Sequence, residues 1–388
     1  MAETDSMPPA VADSPLERDS KLRRSGRDRA DVETALSGWL AAVLGHDCAV
    51  AVTVDGGVDS NGMSSETVPF TAVWDEGGNR ITRRYVARVT PRPEDVPVFP
   101  SYRLDHQFRV MQLARELTAV PVPAVHWYEG DASVLGTPFF VMDRIEGRIP
   151  PDVMPYTMGA NWFYDATPAA QRALQDHTVD VLAALHAIPD ATHIFAFLND
   201  GTPDDALTQR FRWMRDWYDF SAADLTRSPL IDRCVQWLQD NWPDPRSLSE
   251  PVLLWGDARI GNVIYHDMTP AAVLDWEMAT LGPRELDVAW LIFAHQFFQE
   301  TALLAGMPGL PDTFCEKDIR QRYRERTGVE LGDLRWFYVF SGVVWCCALM
   351  RTGARRVHFG EMAMPDDIEA FFYHAPALRR LIDGEPLR

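Results

Sequence analysis

The chain has 388 residues, of which 46% are hydrophobic and 24% charged, and its formal net charge is −19. This composition is typical of a globular protein and excludes a largely disordered chain, while the length suits two or three packed units. The acidic balance argues against nucleic acid as the main partner, because neutralising phosphates requires a basic surface.

The N-terminal part of the chain predicts a disordered segment followed by a helix. Residues 1–30 are rich in Pro, Ser, Asp and Arg and have almost no apolar periodicity. A short amphipathic helix is expected from Asp31 onward. Its apolar stripe comprises Leu36, Leu40, Val43 and Leu44.

The next segment is rich in strand patterns. Residues 48–57 and 134–147 are typical of strands, and the turn Gly77-Gly78-Asn79 predicts a β-hairpin within 66–90. One helix is expected at 102–117. We therefore predict that residues 31–150 form a β-rich N-terminal lobe.

From Pro151 the pattern changes to helices, and residues 151–388 are predicted to form a helical C-terminal lobe. A small β-rich lobe followed by a larger helical one implies a cleft between them, which is a common place for a ligand. The expected helices lie at about 172–188, 205–223, 229–241, 284–300, 315–327, 333–352 and 365–382.

Compartment and membrane association are also expectations from the sequence. The five cysteines include no C-x-x-C pair, which indicates a reduced compartment without structural zinc. The N-terminus lacks an apolar stretch typical of signal peptides. The longest apolar run, residues 338–350, is shorter than a membrane span and predicts a buried helix. We expect a cytoplasmic protein without a membrane partner, and the sequence identifies no protein partner.

The segment 251–282 carries the strongest chemical pattern. An apolar run ends at Asp257, Asn262 follows five residues later, and a second apolar run ends at Asp275, with Glu277 two residues further on. The short β-branched segments between them predict a hairpin that holds Asn262 and Asp275 side by side. Any one of these residues alone could be a turn residue or a cap.

Together these residues match what phosphoryl transfer requires. Protein kinases space their catalytic Asp and metal-binding Asn as D-x-x-x-x-N, and a metal-binding Asp opens the next motif. Oxygen ligands of this kind favour Mg²⁺. No G-x-S-x-G elbow of a hydrolase and no H-E-x-x-H zinc motif occurs in the chain.

The segment resembles the aminoglycoside phosphotransferase and choline-kinase-like family, small-molecule kinases with the protein-kinase fold. Their motif is H-G-D-x-x-x-x-N followed by hydrophobic-D-[WF]-E. The stretches "VLDWEMATLGPRELDVAWL" and "SVLGTPFFVMDRIEGR" most resemble the branch that is also found joined to acyl-CoA dehydrogenases. The likeness covers about residues 35–380, so it extends well beyond one motif.

The resemblance implies an α+β, bilobal protein-kinase-like fold that binds ATP and Mg²⁺. It implies Asp257 as the catalytic carboxylate, Asn262 and Asp275 as metal ligands, and Glu277 as a support of the metal through water. Asp287 is expected to brace the catalytic loop.

The resemblance also implies a nucleotide site in the N-terminal lobe. A Gly-containing turn at 55–65 would cover the phosphates, and residues 143–145 would meet the adenine edge as a hinge. Arg88 stands at the position of the phosphate-binding Lys, although a solvent-facing strand Arg is the alternative. The nucleotide-binding residues expected are Gly57, Ser60, Asn61, Val86, Arg88, Met142, Asp143 and Ile145.

Two departures from the family pattern bear on activity. Trp255 replaces the motif His; we favour a core aromatic, whose indole could also brace the loop. Gln107 replaces the helical Glu that pairs with the phosphate-binding Lys, and its amide could bond Arg88 without bringing charge. A pseudokinase, or another nucleotide-binding module without catalysis, is therefore the alternative.

Our interpretation is an ATP- and Mg²⁺-dependent phosphotransferase that acts on a hydroxyl of a small molecule. Aromatic-rich segments around Trp162 and Trp217, with Asp216, are candidate substrate contacts, although such stretches are more often core. No dense acidic patch suited to an aminoglycoside is evident there. The aromatic residues favour a hydrophobic or hydroxyacyl acceptor.

Overall fold

A computed structural model describes residues 26–45, 49–55, 64–152 and 154–387. Its N-terminal part is an antiparallel five-stranded sheet with the strand order β1-β2-β3-β5-β4. The strands are β1 (Ala51–Val54), β2 (Glu66–Glu76), β3 (Asn79–Val89), β4 (Val125–Glu129) and β5 (Phe139–Asp143). The predicted β-rich lobe is confirmed, although β4 has no counterpart among the predicted strands.

The long hairpin β2–β3 follows directly from its turn residues. Gly77 and Gly78 both have positive φ, at 57° and 80°, and Glu76 pairs with Asn79 across the turn. A two-residue turn with two left-handed positions matches the twist of the flanking strands, and glycine adopts that conformation without strain. The turn thus fixes the register that places Thr67 opposite Arg88.

Helix α1 (Arg29–Leu44) covers one face of the sheet. Its buried face consists of Val32, Leu36, Trp39 and Leu40, whereas Val43 is 40% exposed, so the predicted stripe was wrong at Val43. Trp39 belongs to the buried face instead, and its ring packs edge-on against Phe139 of β5 with the ring centroids 4.8 Å apart.

The prediction of a disordered segment was wrong at Arg27. Residues 1–25 lie outside the described part of the chain, but Arg27 is only 2% exposed. Its guanidinium donates to Glu66 Oε2 at 2.7 Å and to Thr137 Oγ1 at 2.6 Å. These contacts join the chain before α1 to the sheet, which composition alone could not indicate.

Helix α2 (Leu104–Leu117) completes the N-terminal lobe, and the C-terminal lobe is mainly helical. The helices of the C-terminal lobe are α3 (Pro168–His186), α4 (Ala191–Ile194), α5 (Ala206–Asp224), α6 (Pro229–Asp240), α7 (Glu285–Leu304), α8 (Glu316–Thr327), α9 (Arg335–His358) and α10 (Ala375–Asp383). A 3-10 turn at Ile368–Phe371 precedes α10. The single helix predicted at 365–382 was therefore wrong. Pro376 lies in the first turn of α10, where its missing N–H is tolerated, but inside a longer helix it would remove a bond.

Two short two-stranded sheets interrupt the helices, and one of them is the predicted hairpin. Strand β6 (Val252–Leu254) pairs with β9 (Thr280–Gly282), and β7 (Val263–His266) pairs with β8 (Thr269–Val273). They lie where the chain approaches the N-terminal lobe, and the loops between them carry the polar residues of the kinase-like motif.

Helix α9 is long and apolar enough to cross a membrane, but 78% of its most apolar window is buried inside the structure. Val339, Val343 and Cys347 are fully buried in the main hydrophobic core. The apolar run is therefore a core helix of the C-terminal lobe, as the sequence predicted.

Two of the attachments between the lobes are formed by the segments that follow β5 and β3. After β5, the backbone of Arg148 exchanges hydrogen bonds with Tyr265 of β7, at 3.0 and 2.8 Å. On the segment between β3 and α2, Val98 O accepts from Trp217 Nε1 at 2.8 Å, and Pro97 O accepts from Arg351 Nε at 2.9 Å. The second attachment joins the N-terminal lobe to α5 and α9.

Two buried histidines make the C-terminal lobe sensitive to acid. Burial lowers the pKa of His295 and of His374 to about 4 in each case. Because the unfolded chain takes up these protons near pH 6.5, stability is lost as the pH falls from that value towards 4. We expect a loss on the order of 2 kcal/mol per histidine at about pH 5.

The measurement is the urea-unfolding free energy between about pH 7.5 and pH 5. The variant His374→Gln should show a shallower decline than the wild type, since glutamine can still donate to Gly342 O, which His374 Nε2 contacts at 2.9 Å. His193→Gln, at an exposed position, is the matched control. Parallel declines in His374→Gln and wild type would contradict the assignment.

Candidate active site

The turn after β6 begins the site, and a glycine makes it possible. Gly256 has a φ of 91°, and a Cβ atom there would lie 2.2 Å from Met278 O. No side chain fits at this close approach of two backbones. The chain therefore turns sharply at Gly256 and presents Asp257 at the opening of the cleft.

Hydrogen-bond donors on several sides fix the orientation of the Asp257 carboxylate. Asn262 Nδ2 donates to Oδ2 at 2.7 Å, Trp290 Nε1 donates to Oδ1 at 2.9 Å, and Arg259 Nε lies 3.0 Å from Oδ1. Arg259 also pairs with Asp152, which follows the connection between the lobes. Trp290, Arg259 and Asp152 were not among the predicted site residues. Arg259 could have been predicted from the sequence, since it lies two residues after Asp257.

The hairpin β7–β8 brings Asn262 and Asp275 together, as predicted. Asn262 ends the 3-10 turn before β7, and its carbonyl accepts from Leu274 N at 2.9 Å. Asp275 has a φ of 59°, an uncommon backbone conformation for aspartate that points to a local constraint. Both residues line one cavity of about 220 Å³ between the lobes.

The oxygens at this place fit a magnesium ion. Asn262 uses its amide nitrogen on Asp257, so its side-chain oxygen is available to a cation. Among the described residues no group of three or more His, Cys, Asp or Glu side chains forms a metal cluster. Mg²⁺ commonly binds through one or two carboxylates and keeps several waters, so Asn262 and Asp275 are a sufficient protein ligand set.

Arg88 is buried in the cleft, which excludes the solvent-facing alternative. It is 7% exposed, and its Nη2 donates to Asp275 Oδ1 at 2.6 Å and to Glu277 Oε2 at 3.2 Å. Its Nη1 donates to Thr67 Oγ1 at 2.9 Å. Within the part of the chain that the structure describes, Gln107 lines the same cavity but makes no hydrogen bond to Arg88, so that expectation was wrong.

Glu277, which is expected to support the metal through water, contacts several protein donors, and that role stays a prediction. One carboxylate oxygen accepts from Ser64 Oγ, and the other accepts from Ser65 Oγ at 2.9 Å and from Arg88. Protein donors therefore occupy both oxygens. Burial raises the pKa of Asp275, although the positive charge of Arg88 acts to lower it. Burial also raises the pKa of Glu277, and the negative charge of Asp275 raises it further.

The cavity also contains the predicted nucleotide contacts that the structure describes. Val86, Met142, Asp143 and Ile145 line it, together with Ile264 and Leu274 from the C-terminal lobe. Gly57, Ser60 and Asn61 lie outside the described residues.

Residues 143–145 follow the pattern of a hinge that would meet the adenine edge, but two of their three backbone amides already donate within the chain. The amide of Asp143 donates to Ala124 O at 2.9 Å, and that of Arg144 donates to Arg84 O at 3.2 Å. Among residues 143–145, only the amide of Ile145 has no backbone acceptor in the described chain. The edge of a nucleotide base would therefore find a free amide at Ile145, whereas Asp143 only lines the wall of the cavity.

A buried brace behind the loop confirms two predictions. Asp287 accepts from the amides of Trp255 at 2.7 Å and Gly256 at 2.9 Å, and its Oδ2 lies 3.2 Å from His186 Nε2. The fully buried Trp255 donates its indole N–H to Leu274 O at 2.8 Å. Asp287 is thus structural, and Trp255 supports both segments of the motif by packing and one hydrogen bond.

The predicted substrate contacts are not brought together. Trp217 is 1% exposed and packs on Phe99, with the ring centroids 4.5 Å apart, so its assignment to substrate was wrong. Asp216, next to it on α5, is exposed. Trp162 is half-buried and donates to Ile149 O at 3.2 Å, which leaves its substrate role a prediction. The helical spacing of the aromatic residues in α5 therefore reflects packing in the hydrophobic core.

Residues 67–311 match the model of the phosphotransferase enzyme family. The chain belongs to this family. The matched range includes Arg88, Asp257, Asn262 and Asp275.

Two curated relatives carry acyl-CoA dehydrogenase names. The chain is 28% identical to probable acyl-CoA dehydrogenase IBR3 of Arabidopsis thaliana, over 71% of this chain and 34% of that protein. It is 30% identical to human acyl-CoA dehydrogenase family member 11, over 53% of this chain and 24% of that protein. The matched part therefore spans about a third or less of these relatives.

Solved structures show the same fold. A Ralstonia eutropha protein assigned as an aminoglycoside phosphotransferase has a TM-score of 0.61 and 25% identity, over 90% of this chain and 96% of its own. The aminoglycoside phosphotransferase APH(4)-Ia, in a complex with AMP-PNP and hygromycin B, has a TM-score of 0.53 and 15% identity, over 90% and 99%. The bilobal kinase-like fold of this phosphotransferase is thereby established.

The Asp287 brace predicts a large effect on stability. Asp287→Ala removes the acceptor of two buried amides, so we expect the free energy of unfolding to fall by about 2–4 kcal/mol. Urea unfolding measures this change. Asp216→Ala, at an exposed position on α5, is the control and should remain within about 0.5 kcal/mol of wild type. Equal effects of the two substitutions would contradict the brace.

Proposed function

We propose that the protein is an ATP- and Mg²⁺-dependent phosphotransferase that transfers a phosphoryl group to a hydroxyl of a small molecule. One observation carries the proposal: Asn262 donates to Asp257 at 2.7 Å and lines the same cavity as Asp275 and Arg88. A catalytic carboxylate, oxygen ligands and a phosphate-binding cation are the parts that phosphoryl transfer requires.

Each group has a distinct role in the proposed reaction. Asp257 orients the acceptor hydroxyl and accepts its proton, and the donors around its carboxylate hold it in one orientation. Asn262 and Asp275 would hold Mg²⁺, which neutralises phosphate charge when it is bound. Arg88 presents a planar guanidinium, whose geometry suits phosphate oxygens.

The cavity supports a purine nucleotide as the donor. Val86, Met142, Ile264 and Leu274 supply apolar surfaces on two sides, and Ile145 supplies a free amide at the connection between the lobes. We propose ATP, in keeping with structural neighbours that were solved with AMP-PNP or ADP. A neighbour in complex with GDP makes GTP a comparison for the binding experiment.

The surroundings of Asp257 favour an acceptor with an apolar part. Trp290, which donates to Asp257, stacks on Trp345 at 5.5 Å, and Trp345 stacks on Phe297 at 4.8 Å. The nearby carboxylate of Asp152 is neutralised by Arg259, so it is not available to an ammonium group. We propose a hydrophobic or hydroxyacyl acceptor over a polycationic aminoglycoside, and the acyl-CoA dehydrogenase names of the relatives agree with acyl chemistry.

The role of Asp257 is tested by Asp257→Ala. We expect turnover to fall by at least about 100-fold, because the acceptor loses its proton acceptor, while ATP affinity stays within about threefold of wild type. ADP release is measured across hydroxylated compounds that include aminoglycosides, macrolides and hydroxyacyl-CoA esters.

Glu330→Gln is the matched control, because Glu330 is exposed, pairs with Arg324 and lies outside the cavity. This variant should retain turnover. Wild-type-like turnover in Asp257→Ala would remove Asp257 from its role.

A nucleotide-binding module without catalysis is the second candidate. Arg88 pairs with Asp275 and Glu277, so phosphates and Mg²⁺ must displace those bonds before the nucleotide can bind as in a kinase. This arrangement, more than Trp255, is the observation that favours the second candidate.

The two candidates differ in their response to Mg²⁺. For an active kinase we expect ATP to raise the melting temperature only with Mg²⁺, and we expect Asn262→Ala to remove that dependence, because binding to the folded state stabilises it. Thermal shift with ATP, GTP and each nucleotide plus Mg²⁺ is the measurement. Stabilisation by ATP that is independent of Mg²⁺, without ADP release, would favour the binding module.

A further inference from the structure

Ser64 and Ser65, which immediately precede β2, are held by the C-terminal lobe. Both are buried, at 6% and 2% exposure. Their hydroxyl groups donate to the two oxygens of Glu277, which lies two residues after the metal-binding Asp275. The attachment therefore joins the start of β2 directly to the metal-binding segment.

The backbone of Ser64 is held as well. Its carbonyl accepts from Tyr102 Oη at 3.0 Å and from Arg355 Nη1 of α9 at 3.1 Å. Tyr102 also accepts from the amides of Val98 and Phe99, at 3.0 and 3.3 Å. Side chains from three separate segments thus converge on one serine, which far exceeds what a strand end requires.

Three residues further along, β2 reaches the nucleotide cavity. Thr67 lines the cavity and accepts from Arg88, and Arg88 in turn contacts Glu277. Displacement of Ser64 and Ser65 would move Thr67 and Arg88 with them, since they lie on paired strands in fixed register. The serines therefore control the position of the phosphate-binding side of the cavity.

We propose that Glu277 is a positioning residue that anchors Ser64 and Ser65, and with them the phosphate-binding edge of β2 and β3, to the metal-binding segment. It acts through these serines and Arg88 and is not a ligand of the metal. The inference rests on the proposed nucleotide-dependent function, but the anchor itself can be measured without turnover.

Two substitutions remove the anchor from opposite sides. Glu277→Ala removes the acceptor, and the double variant Ser64→Ala/Ser65→Ala removes the donors while leaving the carboxylate in place. We expect each to weaken ATP binding by about tenfold, because the phosphate-binding edge of β2 and β3 is then no longer held against the metal-binding segment. The combined triple variant should bind ATP no more weakly than Glu277→Ala, since both changes break the same contacts.

Titration calorimetry with ATP at a series of Mg²⁺ concentrations separates the anchor from a metal ligand. The proposal expects the Mg²⁺ concentration for half-maximal binding to stay within about twofold of wild type in both variants. A rise of about tenfold in Glu277→Ala, with wild-type-like binding in the double serine variant, would overturn it. Glu330→Gln is again the control, because Glu330 is exposed and lies outside both the cavity and the contacts of Ser64 and Ser65.

Hydrogen exchange keeps this test independent of the proposed function. The amides of Glu66, Thr67, Val68 and Phe70 should exchange about tenfold faster in Glu277→Ala and in the double serine variant, in the absence of nucleotide. Unchanged exchange in both variants would overturn the anchor. If wild type binds no ATP but exchange accelerates as expected, the proposed function fails while the anchor stands.

Discussion

The carboxylate of Asp287 is the contact on which the geometry of the site depends. It accepts from the amides of Trp255 and Gly256 at the point where the chain turns out of β6. Buried amides need acceptors, and the left-handed turn at Gly256 leaves them without partners in a regular strand. Asp287 supplies the acceptor from the first turn of α7, so the orientation of Asp257 is set from within the core.

Charge is the second constraint on the cleft. Four carboxylates (Asp152, Asp257, Asp275 and Glu277) surround two guanidinium groups (Arg88 and Arg259), so negative charges exceed positive ones by two. Buried charge without compensation is costly, and burial raises the pKa of Asp275 accordingly. A divalent cation at Asn262 and Asp275 would offset this excess, in agreement with the proposed Mg²⁺ site.

Local patterns in the sequence predicted a large part of this structure. The two-glycine turn, the hairpin after Asn262 and the spacing of Asp257, Asn262 and Asp275 are each determined within a few residues of chain. The contacts of Glu277 with Ser64 and Ser65 join positions more than two hundred residues apart, and no spacing rule covers them.

The errors have the same physical origin. Trp217 lies in an aromatic-rich segment that suggested a binding site, but its indole nitrogen donates to Val98 O in the core. The first 30 residues had a disordered composition, yet Arg27 finds acceptors on the distant sheet. Composition describes a segment by itself, whereas burial depends on what the fold brings to it.

The attachments between the lobes have a geometric consequence. One lies at the backbone pair of Arg148 and Tyr265, and another lies at Val98 and Trp217. Ser64 and Ser65 add further attachments, to Arg355 and Glu277. A rotation of the small lobe about the line that joins the first two attachments must therefore strain the hydrogen bonds of these serines. Movement of the small lobe is thus restrained at several separate points, which a single flexible strand would not achieve.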